Sequence, residues 1–419
     1  MSGQAVNIPD IIVIGAGIIG ITSAIELQEK GAKVTVLDKA GVAAGASQGN
    51  AGAFAFSDAS PVASPGIIRK APKWFLDPLG PLSVPLPYAL QILPWMFRFL
   101  SASRPEQVRR GIEALTTLMT VSRDRLIPFM EQTGTHNMLR QHGNLQLYEH
   151  RKSFEENLPV WHARGERGTE FTALTDPDQI AEYQPGINKR FVAAIATNDW
   201  YGISDPKDYT VQLGEFFKSR GGKIDIAEAV ALKHGAEGVS VRLKDGTELS
   251  ADHVVVSAGA WSHHLARTVG DHIPLETERG YNTTLPIGAF DLNRQLSFEE
   301  HGFVVTPLSS GIRVGGAVEL GGLKLPPNYR RADALLNKAK GFLPGLKIEG
   351  GRQWMGFRPS LPDSIPVIGP ASRSRRITYA FGHGHLGLTQ SAGTAKLVAD
   401  LVMGIKNDID LLPYSPRRF

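Results

Sequence analysis

The chain's first chemical signal is a run of glycines. Gly15, Gly17 and Gly20 stand in a GxGxxG spacing, with Ile18 and Ile19 between them. In such a run the first glycine permits a tight turn. The second lets the backbone approach a pyrophosphate, and the third lets helix and strand pack closely. A helix beginning at Ile18 would turn unpaired N–H groups and a partial positive charge toward phosphates. Asp38, further along and followed by Lys39, is placed to accept hydrogen bonds from ribose hydroxyls. This is dinucleotide chemistry, and these residues alone leave FAD and NAD both open. A second group lies in the small, polar stretch from Gly41 to Gly52. There Ser47 and Asn50 can hydrogen-bond a phosphate or a cofactor edge, and Gly49, Ala51 and Gly52 leave the backbone room. His383 and His385 suggest a metal pair, but no acidic ligands accompany them in sequence, so no metal is expected.

The elements around these residues are legible from periodicity. Ile11-Ile12-Val13-Ile14 is a β-branched run, as expected for a strand covered on both faces. A helix is predicted from Ile18 to Lys30, stopped by Gly31, and a second strand ends at Asp38. Pro61 to Arg104 is rich in proline and large apolar residues, and Pro85, Pro87 and Pro94 speak against one long helix. Residues 105–133 and 207–220 read as amphipathic helices. Val239 to Leu243 alternates and turns at Asp245-Gly246, a hairpin signal. Residues 303–318 read as two strands around Ser309-Ser310-Gly311, in an antiparallel sheet. Ile377 to Phe381 is a strand, followed by a glycine-rich loop and a helix from Leu388 to Met403.

Composition narrows the classes. Hydrophobic residues at 42% and charged residues at 21% suit a folded globular chain and argue against gross disorder. The net charge of +4 comes without a Lys/Arg-rich tract, so nucleic-acid binding is not expected. The absence of cysteine excludes disulfides, thiolate metal sites and a flavin tethered through sulfur. No signal peptide and no membrane-spanning helix are expected. The reading is a cytoplasmic protein, with Trp74 to Leu100 as a candidate for peripheral contact with the inner face of the cell membrane.

Four stretches occur in order: VIGAGIIG, SQGNAG, VVVSAGAW and GFRPSLPDSIPVIGP…GHGHLGLTQSAG. Together they resemble the glycine/D-amino-acid oxidase family of flavoproteins, most closely its D-amino-acid dehydrogenase branch. The resemblance spans nearly the whole chain. It implies an α/β fold: a discontinuous Rossmann-like FAD domain and an inserted α+β substrate domain on a mostly antiparallel sheet. The division expected is 1–95, 200–272 and 345–419 for FAD, with 96–199 and 273–344 for substrate. The resemblance also implies non-covalent FAD. Asp38, where the family more often has glutamate, would take the adenosine ribose. Ser47, Asn50 and Gly52 would lie near the pyrophosphate and flavin, and Val230 would offer its backbone to the adenine. Ala258 and Gly259 would sit beside the cofactor, with Gly384, Leu386 and Gly387 at the flavin pyrimidine end. A helix N-terminus there would stabilise charge at the N1–O2 locus of a reduced flavin, which favours FAD over NAD.

In the family, the arginine matching Arg358 grips the substrate carboxylate. A guanidinium is always charged and meets a carboxylate with two parallel hydrogen bonds. A structural ion pair, with Asp363 as partner, is the other reading. Tyr281 is a candidate to bond the carboxylate or close the pocket, Arg279 to assist it, and His385 to touch flavin or substrate amine. The implied reaction is hydride transfer from Cα of a small amino acid, a D-amino acid first and a proline-like one among the options. Electrons would pass to a respiratory acceptor such as a membrane quinone. A glycine/sarcosine-type oxidase using oxygen and a non-catalytic flavin-binding subunit remain alternatives.

Overall fold

A computed structural model describes residues 8–65, 79–80 and 82–419. The β-branched run forms the Asp10–Ile14 strand at the heart of a six-stranded sheet. On one side it pairs in parallel with Lys33–Asp38, which pairs with Lys223–Ile226. On the other it pairs in parallel with His253–Val256 and, beyond that, Ser374–Phe381. Only the edge strand Val367–Ala371 runs antiparallel. The carboxyl ends of the three central strands therefore converge on Gly15, Asp38 and Ser257. In open α/β sheets this crevice is where a ligand sits.

The Ile18–Glu29 helix follows the first turn and is buried along most of its length. It packs beside the C-terminal helix Gly387–Val402, and both pack on the Pro105–Gln132 helix. The last contact is close: a Cβ on Gly393 would come within 2.3 Å of the Ser122 hydroxyl. Arg125 from the long helix also donates two hydrogen bonds to the buried Glu26 carboxylate. The long helix thus shares the core of the nucleotide sheet, although sequence placed residues 96–199 with the substrate domain.

The second large sheet has nine strands, mostly antiparallel. Its middle is the hairpin Phe303–Leu308 and Gly311–Glu319, turning at the expected Ser309-Ser310. Glu276–Leu285 pairs with Gly311–Glu319 on one side and with Arg352–Ser360 on the other. Arg352–Ser360 lies in the stretch expected to be FAD domain, yet it completes the substrate-side sheet. Its register places Arg358 directly opposite Glu278 and Phe357 opposite Arg279.

Among the described residues, no helix is long and apolar enough to cross a membrane. Trp74 and Phe75, at the head of the candidate membrane segment, lie outside the described residues. The rest of that segment holds the Ala89–Ala102 helix, which runs through Pro94 rather than breaking there. The carbonyl freed by the missing N–H is that of Leu90, an 82% exposed residue, so water can satisfy it.

Candidate active site

A cavity of about 780 Å³ runs between the two sheets. At one end are the nucleotide elements. Gly15 adopts φ +111°, and a Cβ there would lie 2.3 Å from the Ser257 carbonyl oxygen. A Cβ on Gly20 would lie 1.8 Å from the Gly15 carbonyl oxygen, so only glycine lets helix and strand meet. The Asp38 carboxylate accepts hydrogen bonds from the N–H groups of Ala16, Ala40 and Gly41. It fixes the glycine turn and still lines the cavity. Lys39 stands 3.3 Å above the Trp261 ring, and burial lowers its pKa against the pull of Glu228 and Asp38. Val230 falls at a register shift between Ala229 and Ala231, so it stands outside the strand ladder and faces the cavity. Ala258 and Gly259, the latter at φ +55°, follow the His253–Val256 strand along the same wall.

The small-residue loop is held from both sides. Ser47 Oγ accepts from the Ile18 N–H at 2.9 Å, while Ile19 and Ala51 line the cavity beside it. Asn50 bonds within its own turn, to the Ser47 carbonyl and the Gly52 N–H. Across the cavity, Asn282 donates to the Gly49 carbonyl and Arg313 to the Asn50 carbonyl. The Trp354 ring leaves no space for a Cβ on Gly49. Asn282, Arg313 and Trp354 escaped the sequence reading because their partners lie in another sheet. The glycine within SQGNAG was the only local hint of a close approach.

At the far end lies Arg358. Its Nη1 donates to the Ala317 carbonyl at 2.9 Å. Ala317 has φ +56° and sits at a bulge that gives its strand one extra residue opposite Arg279–Tyr281. The guanidinium passes over Gly280, where a Cβ would come within 2.4 Å of Nη2. Asp363 is not its partner, because Arg418 takes both oxygens of that carboxylate. Desolvation lowers the Arg358 pKa and the charge of Glu278 opposes the shift. Among the described residues no ion pair engages Arg358, so its fork is available to a ligand anion.

Tyr281 and Arg279 have other partners. The Tyr281 hydroxyl donates to Glu319 and accepts from the Asn328 N–H. Arg279, fully buried, pairs with the same Glu319 and donates to the carbonyls of Gly322, Leu325 and Pro326. Arg279 thus belongs to a buried structural network, away from the cavity. Tyr281 lines the cavity with Glu278, Gly280 and Asn282, but its hydroxyl is taken up by that network.

The two histidines also part. His383 is buried against the Thr394 hydroxyl, and burial drives its pKa down to about 3. His385 lines the cavity with Nε2 3.5 Å from Asp58. Burial alone would lower the His385 pKa, but Asp58 and the charge of Glu278 raise it above the ordinary value. Asp58 shifts the other way: burial opposes its ionisation, yet His385 and Arg164 bring its pKa down. Next to them Gly384, at φ +54°, leads through Leu386 into Gly387, the first residue of the C-terminal helix. No side chain caps that helix start, and its first residues, Gly387, Leu388 and Thr389, line the cavity.

Glycine turn, bulge and two helix N-termini thus face one elongated cavity, a shape that fits a dinucleotide with a ring system at its far end. Residues 10–401 match the family described as DAO, FAD dependent oxidoreductase. The chain belongs to that family. It is 34% identical to the D-amino-acid oxidase of Bradyrhizobium diazoefficiens, covering 98% of each chain. To the D-amino acid dehydrogenase of Rhizobium johnstonii it is 32% identical, covering 96% of this chain and 97% of that one. Among solved structures it resembles glycine oxidase from Geobacillus kaustophilus, with a TM-score of 0.74 at 21% identity over 98% and 99% of the chains. L-proline dehydrogenase from P. horikoshii gives 0.73 at 20% identity over 98% and 97%. At these identities the two structures speak for the fold alone. As a DAO-family member the chain is an FAD-dependent oxidoreductase, and its cavity residues are those that would hold the cofactor. Gly15, Gly17, Ile18, Asp38, Val230 and the stretch from Gly384 to Gly387 all line this one cavity.

Proposed function

We propose that this enzyme oxidises the Cα–N bond of a small amino acid, with a D-amino acid as the leading substrate and a proline-like ring among those accepted. The carrying observation is Arg358, a cation in the cavity wall whose described hydrogen bond goes to a single backbone carbonyl. It supplies a planar fork for a carboxylate, and relatives across the full chain length are named for D-amino acids. When bound, the flavin accepts a hydride. Arg358 holds the carboxylate and so fixes where Cα–H points. Cavity walls from both sheets limit water around the substrate, and alignment lowers the barrier. The imine product is then hydrolysed to a keto acid and ammonia, or released intact if cyclic.

We assign Asp38 to the ribose and the Val230 backbone to the adenine. Anaerobic mixing of the FAD-loaded protein with D- and L-amino acids and N-methyl amines tests the reading, because only a substrate bleaches the flavin.

Relatives carry both oxidase and dehydrogenase names, and we propose a respiratory acceptor such as a quinone. Leu90, Leu93 and Phe97 support it: all three are exposed, at helical spacing on one stripe of the Ala89–Ala102 helix, and the exposed Leu86 lies in the 3-10 turn just before it. Such a stripe suits peripheral membrane contact. Rapid peroxide formation would assign oxygen instead, and protein that never floats with liposomes would remove the membrane contact.

A further inference from the structure

Glu278, whose charge acts on Arg358 and His385, has an unusual setting. It is 7% exposed, and its side chain lines the cavity. Among the described residues no hydrogen bond or ion pair engages its carboxylate. A buried charge without a partner costs several kcal/mol in general, so proteins keep one where a ligand completes it. Its strand register puts it directly across from Arg358, on the same face. Opposed residues stand about 4.5–5.5 Å apart at Cβ. An anion and a cation on facing strand positions, both open to one cavity, suit a ligand that carries opposite charges on neighbouring groups. An α-amino acid is such a ligand.

We propose that Glu278 is the amine-binding residue of this site: it receives the substrate's α-ammonium group while Arg358 holds the carboxylate, and it takes one ammonium proton before Cα–H breaks. The inference rests on the amino-acid reading of the cavity. The step balances as follows. One N–H bond of the ammonium breaks and its proton goes to a Glu278 oxygen, giving a neutral amine and a neutral carboxylic acid. The Cα–H hydrogen then leaves with its electron pair to the bound flavin, and the nitrogen lone pair forms the C=N bond of an iminium ion, which gives up one N–H proton to solvent to become the imine. The proton on Glu278 returns to solvent as the imine leaves.

The surroundings favour this order. In a desolvated site a neutral acid–amine pair is less costly than two charges. The Glu278 carboxylate is close enough for its charge to act on both Arg358 and His385. A substrate carboxylate on Arg358 would occupy that cation and leave the Glu278 carboxylate facing the substrate nitrogen. The other groups nearby are settled: His383 is neutral, Asp58 faces His385, and Glu276, two residues along the same face, accepts from the Tyr88 hydroxyl. Beside Glu278 a small void of about 10 Å³ also meets the unpartnered Ser360 hydroxyl.

The test uses the FAD-loaded protein, Glu278→Gln and Glu278→Asp, with two readouts. The first is equilibrium binding of an amine-free carboxylate of the substrate's skeleton. The second is the anaerobic flavin reduction rate by the amino acid across pH. Glu278→Gln should bind the amine-free carboxylate at least as tightly as the parent. Its reduction at neutral pH should fall by about tenfold or more, the worth of one charge-assisted bond. That rate should then climb with pH until the free amine is neutral. Glu278→Asp should keep the parent's pH profile at a lower rate. A parent-like rate and profile in Glu278→Gln would overturn the proposal. So would equal gains in affinity for both ligands, which would reduce Glu278 to a counter-charge for Arg358. Failure of the parent itself to be reduced by any amino acid would instead bring down the reading on which the proposal rests.

Discussion

Arg358 concentrates the site's electrostatics, because the fold leaves its fork without an internal carboxylate. Arg358→Lys keeps charge and loses the fork. It should retain flavin and lose about ten- to a hundredfold in kcat/KM, since a bond to a charged group is worth on the order of 1.5–3 kcal/mol. Reduction kinetics beside thermal melting check this, and a flavin-loaded mutant with unchanged kcat/KM would remove Arg358 from substrate binding. The His385–Asp58 pair makes a pH prediction. A raised histidine pKa stabilises the fold below the ordinary value of about 6.5 and loses that stability as pH rises through the raised value. A lowered aspartate pKa stabilises above about 3.8 and loses it as pH falls through the lowered value. The melting gap between parent and His385→Gln should therefore be wide at about pH 5.5 and narrow at about pH 9. Equal gaps at the two values would show that the pair does not form. Arg358 was legible from its motif, but Asp363 as its rival partner was not refutable from sequence, because Arg418 reaches Asp363 from the chain's far end. The setting of Tyr281 was only half legible. Tyr281 does line the cavity, but its hydroxyl is held by Glu319 and the Asn328 N–H, pairings that lie far away in sequence.

At the scale of elements, two bulges and two helix starts shape the cavity. The bulge at Val230 frees a residue from its ladder, and the one at Ala317 turns a carbonyl to Arg358. Neither shows in periodicity, because a bulge is defined by its partner strand. The glycine turn and its helix were legible, since the spacing, the β-branched strand and the acid at the next strand end all agree locally. Gly280 shows what element packing demands of a single position. A Cβ there would collide with the far end of the Arg358 side chain, which can move, rather than with backbone. Gly280→Ala should therefore melt within a few degrees of the parent and keep FAD. By displacing the fork, it should lose roughly tenfold or more in kcat/KM. An unchanged kcat/KM would mean the guanidinium has room to adjust.

Among the described residues the two largest sheets, of six and nine strands, flank one cavity, and chain segments alternate between them. That alternation explains why the expected division was coarse. Helical periodicity marks residues 105–132 as amphipathic without saying which sheet receives the apolar face. The Arg352–Ser360 strand follows a long insertion and joins the sheet across the cavity. Arg313 links the halves, donating to Thr284 in its own sheet and to the Asn50 carbonyl in the cofactor loop. Arg313→Met should weaken FAD binding by roughly tenfold or more. Because ligand binding stabilises the folded state by mass action, it should also shrink the rise in Tm on adding FAD. An unchanged FAD affinity would show that the link is dispensable. The central claim is that this family member removes a hydride from an amino acid seated between Arg358 and the flavin. Its most direct measurement is anaerobic mixing of the FAD-loaded protein with each enantiomer of alanine and proline while the visible flavin band is followed. The account predicts that the D-enantiomers bleach the band and that Arg358→Lys slows the bleaching; a flavin that stays oxidised with every amino acid at saturating concentration would contradict it.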